Sequence, residues 1–585
     1  MPYRPFASGT NPIIPMDFPD PDILRVGDAY YMVSTTMYFM PGCVILRSHD
    51  LIHWELYTHV YDMLENTPAQ RLEGNANAYG KGMWAASLRR RGDTFYISFV
   101  AYDTQKTYLY SASDMKGPWK RNEIEGFYHD SSLFFDDDGR AYIVYGGTQI
   151  RITELNDDLT SPRPRGLDRI IADSGTSDYL GFEGSHFYKI NGRYYLFVIH
   201  SRKDRWKRVE SCYTSTTLVG EFTGGVVFED DLGFLDQGVA QGGVVDTPDG
   251  RWFCYLFQDR GAAGRMPVLI PMTWEDGMPV IGENGKVPAT VTNRCERPGW
   301  VCAPLYGSDD FRGEMKPFWE WNHIPDRSLL SYGSGRYTIR FGKTCESLTQ
   351  AANTLTQRTL YPGCFAAVTL DGSQLRDGDI AGLCALQDRW AFAGLACEAG
   401  ELFVTLRARN ESLVELPQQF RLLRTFDRIV AYDAPHGIQG QFLAGGEEQR
   451  NAFAVIYYII KRRGLRHALQ LETVIPLLVE HRGVDHRLRQ GQYLFQINIL
   501  GIVTYEATRN LHLRRLACAQ HDGRGQGHEK RLFIHLSLLS QLNAYKYSKI
   551  PDMRTFYFDE LRCAPLFFEK LRPCCWLRFF CGRCC

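Results

Sequence analysis

Gly181 to Tyr195 reads GFEGSHFYKINGRYY, and its pattern is that of a β-hairpin led by a carboxylate. Residues alternate from His186 to Tyr188, Asn191-Gly192 supplies the positive φ angles of a tight turn, and Tyr194 and Tyr195 return in a second strand. Glu183 stands at the head of the first strand. Four other stretches share the layout of a lead residue and an aromatic eleven or twelve positions later, across a Gly-containing turn. They pair Asp20 with Tyr31, Trp84 with Phe95, Asp130 with Tyr142, and Gln241 with Trp252. Five such units, spaced roughly 45 to 65 residues apart, predict an all-β chain that opens with a five-bladed β-propeller. Each lead residue then begins an innermost strand, so Asp20, Asp130 and Glu183 converge on one central pocket. Three carboxylates there are costly unless they do chemistry: like charge and burial push their pKa values apart and make one an acid and another a base.

The chain has 585 residues, 44% hydrophobic and 23% charged, which is the composition of a globular protein with two or more domains. A formal net charge of -1 gives no electrostatic case for nucleic acid or an anionic membrane as partner. The first residues, MPYRPFASGTNPIIP, lack a basic region followed by an apolar core, so no signal peptide is expected and the location expected is cytoplasmic. Sixteen cysteines without an export signal read as free thiols rather than a disulfide framework.

Within the first unit, Asp20 and Asp22 are two apart, point the same way from a strand, and either suits a catalytic base. The endings that contain Ser48, Asp50 and Trp54, and Ser111 to Trp119, read as structural turns of outer strands. Trp84 suits either a core or the stacking of a sugar's C–H face on its ring. The run Arg89 to Arg91 reads as a solvated edge, and Asp136 to Asp138 before Gly139 as turn chemistry. The even ligand spacing of an EF-hand loop is absent, so calcium is conceivable there but unsupported, and no cofactor is expected. His186 reads as a structural group. Gln241 leads the fifth unit, and Arg265 in its Gly-rich loop suits forking onto sugar hydroxyls, steadying a carboxylate, or a surface ion pair.

FPDPDILRVGDAYYMVSTT, RSHDLIHW, MWAASLRRRGDTFYI, HDSSLFFDDDGRAYIVYG, EGSHFYKINGRYYLF and the stretch from Gln241 to Gly277 resemble the successive motifs of glycoside hydrolase family 43, in order, over about residues 11 to 290. The resemblance implies a five-bladed propeller that hydrolyses β-D-xylosides or α-L-arabinofuranosides with inversion. It makes Asp20 the general base, Glu183 the general acid, and Asp130 the carboxylate that tunes and orients the acid. Phe39 and Trp84 would line the sugar pocket, with Arg265 on the sugar hydroxyls. Inversion needs room for a water, hence acid and base carboxyls roughly 6.5 to 9.5 Å apart. Glu183 needs a raised pKa, to which Asp130 contributes by like charge, and Asp20 must stay ionised. Two positions depart from the family pattern. Ala240 stands where many members carry His beside a central ion or water, and Asp22 stands where Ser is common.

These readings divide the chain into a propeller at 1–297, the first part of a β-sandwich at 298–411 and an unrecognised tail at 412–585. The second part resembles the C-terminal sandwich of members acting on xylo-oligosaccharides, in which a loop closes one side of the pocket. The tail is rich in Arg, Leu and His and holds seven of the sixteen cysteines, which suggests a non-native or frame-shifted continuation; CGRC at Cys581 to Cys584 lacks the second pair that a zinc site needs. The expected function is an exo-acting hydrolase on xylo- or arabino-oligosaccharides. A propeller glycosidase of other sugar specificity, or an impaired propeller that only binds glycan, stays open.

Overall fold

The computed structural model describes residues 6–409, apart from 262 and 387–389, and beyond them the backbone of four strands. Five four-stranded antiparallel sheets follow one another, each in simple sequence order. Their innermost strands are Asp22–Val26, Met83–Arg91, Ser132–Phe135, Glu183–Ile190 and Val239–Asp246. Each meets the next, and the fifth meets the first, so the ring is closed. Phe6–Thr10 pairs antiparallel with Thr290–Arg294, and Asn11 ties this seam to the fifth blade through Nδ2 to the Leu269 and Pro288 carbonyls. The hairpin around Asn191 and Gly192 turns with φ of 51° and 78°, as a two-residue turn of that sequence should.

Blades pack face to face through apolar side chains on alternate strand positions. Between the fifth and first blades lie Ile23, Tyr30, Met32, Val245, Tyr255 and Leu269, and the other four junctions hold comparable clusters. Tyr30, Tyr108, Tyr142 and Tyr255 are fully buried at these junctions. In the first blade the buried aromatic is Tyr30, and Tyr31, singled out from its spacing, is half-exposed against Tyr57.

At the axis the blades are joined by polar bonds in a repeating pattern. Asp22 Oδ2 accepts the Leu88 N–H of the second blade at 2.7 Å. Ser87 Oγ accepts the Leu133 N–H of the third at 3.0 Å, and Ser132 Oγ accepts the Phe187 N–H of the fourth at 3.1 Å. The Tyr188 hydroxyl accepts the Val244 N–H of the fifth at 3.3 Å. Arg89 runs through this stack: its guanidinium donates to Asp22 Oδ2 at 2.5 Å and to Ser132 Oγ at 2.6 Å, and lies over the Tyr188 ring at 4.9 Å. Arg89 is therefore an axial strut and not a solvated edge; strand alternation turns it inward while Arg90 faces out. Asp22 is likewise corrected as a candidate base, since it is wholly buried in this network. His186, read as structural, faces Asp22 at 3.7 Å.

After the propeller, Glu320–Asn322 pairs with Leu355–Thr356 on one side and with Phe39–Met40 of the first blade on the other. Two four-stranded sheets follow, Phe365–Asp371, Leu494–Leu500, Leu477–His481 and Ala452–Ile456 in one, and Ile380–Ala385, Trp390–Glu398, Glu401–Arg409 and Glu415–Arg421 in the other. They touch through Ile380–Ala385 and Trp390–Glu398. Apart from those four strand backbones, the reading of 412–585 as a non-native tail, with its CGRC motif, lies outside the described residues. The nine cysteines among the described residues are free thiols.

Arg89→Met keeps the stem but leaves Asp22 buried without its cation, and is expected to lower the unfolding free energy by about 3–5 kcal/mol. Urea unfolding measures it; a loss under about 1 kcal/mol would show that the axial pair is dispensable.

Candidate active site

Every inner strand has a left-handed residue at or beside its start: Asp20 (φ 51°), Ala85 (31°), Asp130 (46°), Gly184 (67°) and Gln241 (59°). Only Gly184 takes this conformation freely; at the other four it is sterically disfavoured, and strain of this kind gathers at functional sites. In the second, fourth and fifth blades the strand register also shifts there. Superposing the blades on this residue aligns Trp84, His129 and Glu183 one position before it. Asp20, Asp130 and Gln241 occupy the position itself. The six residues that head the inner strands thus fall into two rows around one rim, and Glu183 and Trp84 belong to a different row from Asp20 and Asp130.

Asp20 is buried and gripped at both oxygens. Thr35 Oγ1 donates to Oδ2 at 2.7 Å, and the Arg265 guanidinium donates to Oδ1 at 2.6 Å. Thr35 also accepts the Ala85 N–H at 2.9 Å, which links the left-handed turns of the first two blades. Arg265, itself buried, stacks over Phe257 at 4.9 Å, and its backbone N–H donates to Asp17 Oδ1 at 2.7 Å. Of the three readings that its loop position allowed, the structure realises the steadying of a carboxylate. Burial pushes the Asp17 carboxyl up to about 7, against the opposing pull of Arg358.

Across the rim, Glu183 and Asp130 meet through a residue that the sequence reading did not single out. His129 Nε2 lies 3.5 Å from Glu183 Oε2, and its Nδ1 lies 3.4 Å from Asp130 Oδ1 and 2.7 Å from the Tyr102 hydroxyl. The alignment of blades is the signal that finds it, because His129 occupies in the third blade the position of Glu183 in the fourth. One ligand-type atom from each of His129, Asp130 and Glu183 falls within 4.8 Å of the others. The same three groups could hold a cation, which would compete with any proton on Glu183.

An aromatic wall adjoins this corner. Trp84 packs on Tyr102 at 4.3 Å and stands 6.4 Å from His129, and Phe39 belongs to the same cluster through Tyr38 and Tyr79. The C-terminal part braces the wall. Asn322 pairs with Phe39 along the strand, and His323 stacks on Tyr38 at 4.8 Å with its pKa lowered to about 3 by burial and by Lys343. Gln241 closes the remaining side. Its amide packs on Gly184 so closely that a Cβ there would come within 2.6 Å, and its backbone N–H donates to Glu210 Oε2 at 2.7 Å.

Residues 9–279 match the family model for glycosyl hydrolases family 43, and residues 308–423 match that of the beta xylosidase C-terminal concanavalin A-like domain. A beta-xylosidase of Formosa agariphila is 29% identical over 359 residues, 54% of this chain and 58% of the relative. A non-reducing end alpha-L-arabinofuranosidase of Bacteroides ovatus is 30% identical over 365 residues, 58% of this chain and 66% of the relative. A solved structure from Bacteroides eggerthii, a bifunctional GH43-CE protein, superposes with a TM-score of 0.67 at 33% identity, covering 86% of this chain and 62% of that one. The chain therefore spans about three fifths to two thirds of the length of these curated relatives.

Glu210, buried under Gln241, gives the site a pH signature. Burial raises its pKa from 4.5 to about 8, with the Gln241 N–H opposing. The folded chain keeps this proton to about pH 8 while the unfolded chain releases it near 4.5. Its stabilising effect is therefore full below pH 4.5 and is lost as pH rises to about 8. Glu210→Gln is expected to flatten that fall, as read from melting temperatures between pH 5 and about 9; an unchanged slope would place the titration elsewhere.

Proposed function

We propose, because this chain belongs to glycosyl hydrolases family 43 through residues 9–279, that it is an exo-acting glycoside hydrolase. It releases β-D-xylose or α-L-arabinofuranose from the non-reducing end of plant-polysaccharide oligosaccharides, with inversion. The observation that carries this reading is the placement of two differently held carboxylates on one rim. Asp20 is fixed by Thr35 and Arg265, and Glu183 stands beside Asp130 and His129.

In this reading Glu183 gives its proton to the glycosidic oxygen as the bond to the anomeric carbon breaks. Asp20 takes a proton from the water that attacks the opposite face. The grip of Arg265 and Thr35 aims Asp20 at that water, so no binding energy is spent on orienting it during reaction. Asp130 repels a second negative charge on Glu183 and favours its protonated form. Trp84 and Phe39 offer π faces for the C–H face of the sugar. Gln241 closes the pocket behind Glu183. The names of the two curated relatives, a xylosidase and an arabinofuranosidase, support pentose substrates of both kinds.

Hydrolysis of aryl β-D-xyloside and aryl α-L-arabinofuranoside by the full chain tests the reading. Glu183→Gln and Asp20→Asn are each expected to lower kcat by about 10²-fold or more. Proton NMR of the first product from the β-xyloside should show the α-anomer. Release of β-xylose as first product, or wild-type rates in both variants, would refute the assignment.

A further inference from the structure

We propose that His129 is a positioning residue for the proton donor, one that fixes which oxygen of Glu183 carries the transferable proton; this rests on the glycosidase reading above. The imidazole is half-buried and held from the side of Nδ1. Its Nδ1 is 2.7 Å from the Tyr102 hydroxyl, and the Tyr102 ring is clamped between Trp84 at 4.3 Å and Phe127 at 5.0 Å. The His129 carbonyl accepts the Gly146 N–H at 3.0 Å. The ring is thus presented to Glu183 edge-on, with Nε2 leading.

Nδ1 faces both the Tyr102 hydroxyl at 2.7 Å and Asp130 Oδ1 at 3.4 Å, and in this proposal the hydroxyl is the donor. A Tyr102 hydroxyl donating to Nδ1 leaves the ring proton on Nε2, which faces Glu183 Oε2 at 3.5 Å. An N–H directed at Oε2 makes that oxygen an acceptor, so the acidic proton resides on Oε1. When the glycosidic bond breaks, its electron pair goes to the leaving oxygen and the Oε1 proton joins it. The water oxygen bonds to the anomeric carbon, and the water's proton passes to Asp20. Glu183 is then a full carboxylate, and the Nε2–H contact is stronger than it was to the neutral acid. An interaction that strengthens as charge develops lowers the barrier rather than only improving binding.

The leaving group separates this role from a structural one. A dinitrophenyl glycoside departs with little help from an acid, whereas a phenyl glycoside needs the proton. On the sugar that the wild type cleaves, His129→Ala is expected to lower kcat for the phenyl glycoside about ten-fold more than for the dinitrophenyl one, a part of what a positioned acid contributes. His129→Gln, which can present an N–H near the same place, should recover part of the loss. Tyr102→Phe, which removes one hydroxyl and keeps the ring packing, should show a smaller loss with the same leaving-group dependence. Equal losses on both glycosides in His129→Ala and Tyr102→Phe overturn the proposal while the enzyme reading stands. If Glu183→Gln itself shows no leaving-group dependence, the acid assignment fails and the proposal falls with it.

Discussion

The buried pair of Asp22 and Arg89 is the constraint on which the rest of the propeller depends. Taking two charges out of water costs several kcal/mol per ion, and their attraction offsets this only if the remaining donors and acceptors are satisfied. Here all but the Arg89 Nε–H are met, largely from other blades: Leu88 and Tyr188 around Asp22, Ser132 and the face of Tyr188 around Arg89. One cation therefore touches side chains of the first, third and fourth blades, and Tyr188 carries the contact on to Val244 of the fifth. A blade that slid by one residue would turn its axial side chain to the opposite face and leave a charge unpaired. The pair thus sets the register of the inner strands.

The site inherits that register. Because each inner strand passes through a left-handed residue just before its axial contact, the side chains on either side of the bend are fixed relative to the axis. Asp20, Asp130 and Gln241 at the bend, and Trp84, His129 and Glu183 before it, form a rim whose spacing belongs to the ring and not to any one blade. The cost is local strain of about 1–3 kcal/mol at each non-glycine bend. Bonds such as Thr35 to the Ala85 N–H and Glu210 to the Gln241 N–H hold the bends in place.

Hairpins and blade order were legible because their signals are local: Asn191-Gly192 dictates its turn, and the aromatics follow at fixed distance. The bends were not, since Asp20, Ala85, Asp130 and Gln241 carry no mark of positive φ, and only Gly184 has the residue type that invites it. This is why lead residues drawn from two rows were read as one. Arg89 was misread because its neighbours in sequence, Arg90 and Arg91, suggest solvent, while its partners come from three other blades. His129 went unnoticed for the same reason, its meaning lying with Tyr102 and Glu183 of the blades on either side. The identities of Asp20, Asp130 and Glu183 as residues of one rim could be read from the repeat alone; that Arg265 serves Asp20 required the fold.

The C-terminal part acts on the site through the same logic of shared backbone. Arg358 donates to the Asp17 carbonyl and, at 2.8 Å, to Glu320, and it lies over Phe18 at 4.4 Å. Asp17 in turn receives the Arg265 N–H, so the segment leading to Asp20 is held from the propeller by Arg265 and from outside it by Arg358. On the opposite wall, Asn322 and His323 fix the strand of Phe39 and the ring of Tyr38. Burial, with Lys343, lowers the His323 pKa to about 3, so near neutral pH it braces the aromatic wall without placing a charge behind it. Both the carboxylate read as base and the wall read as sugar platform are therefore anchored by residues outside the ring. A propeller cut off before Glu320 would keep its blades and its axial pair, yet lose one of the two holds on Asp17 and the strand partner of Phe39.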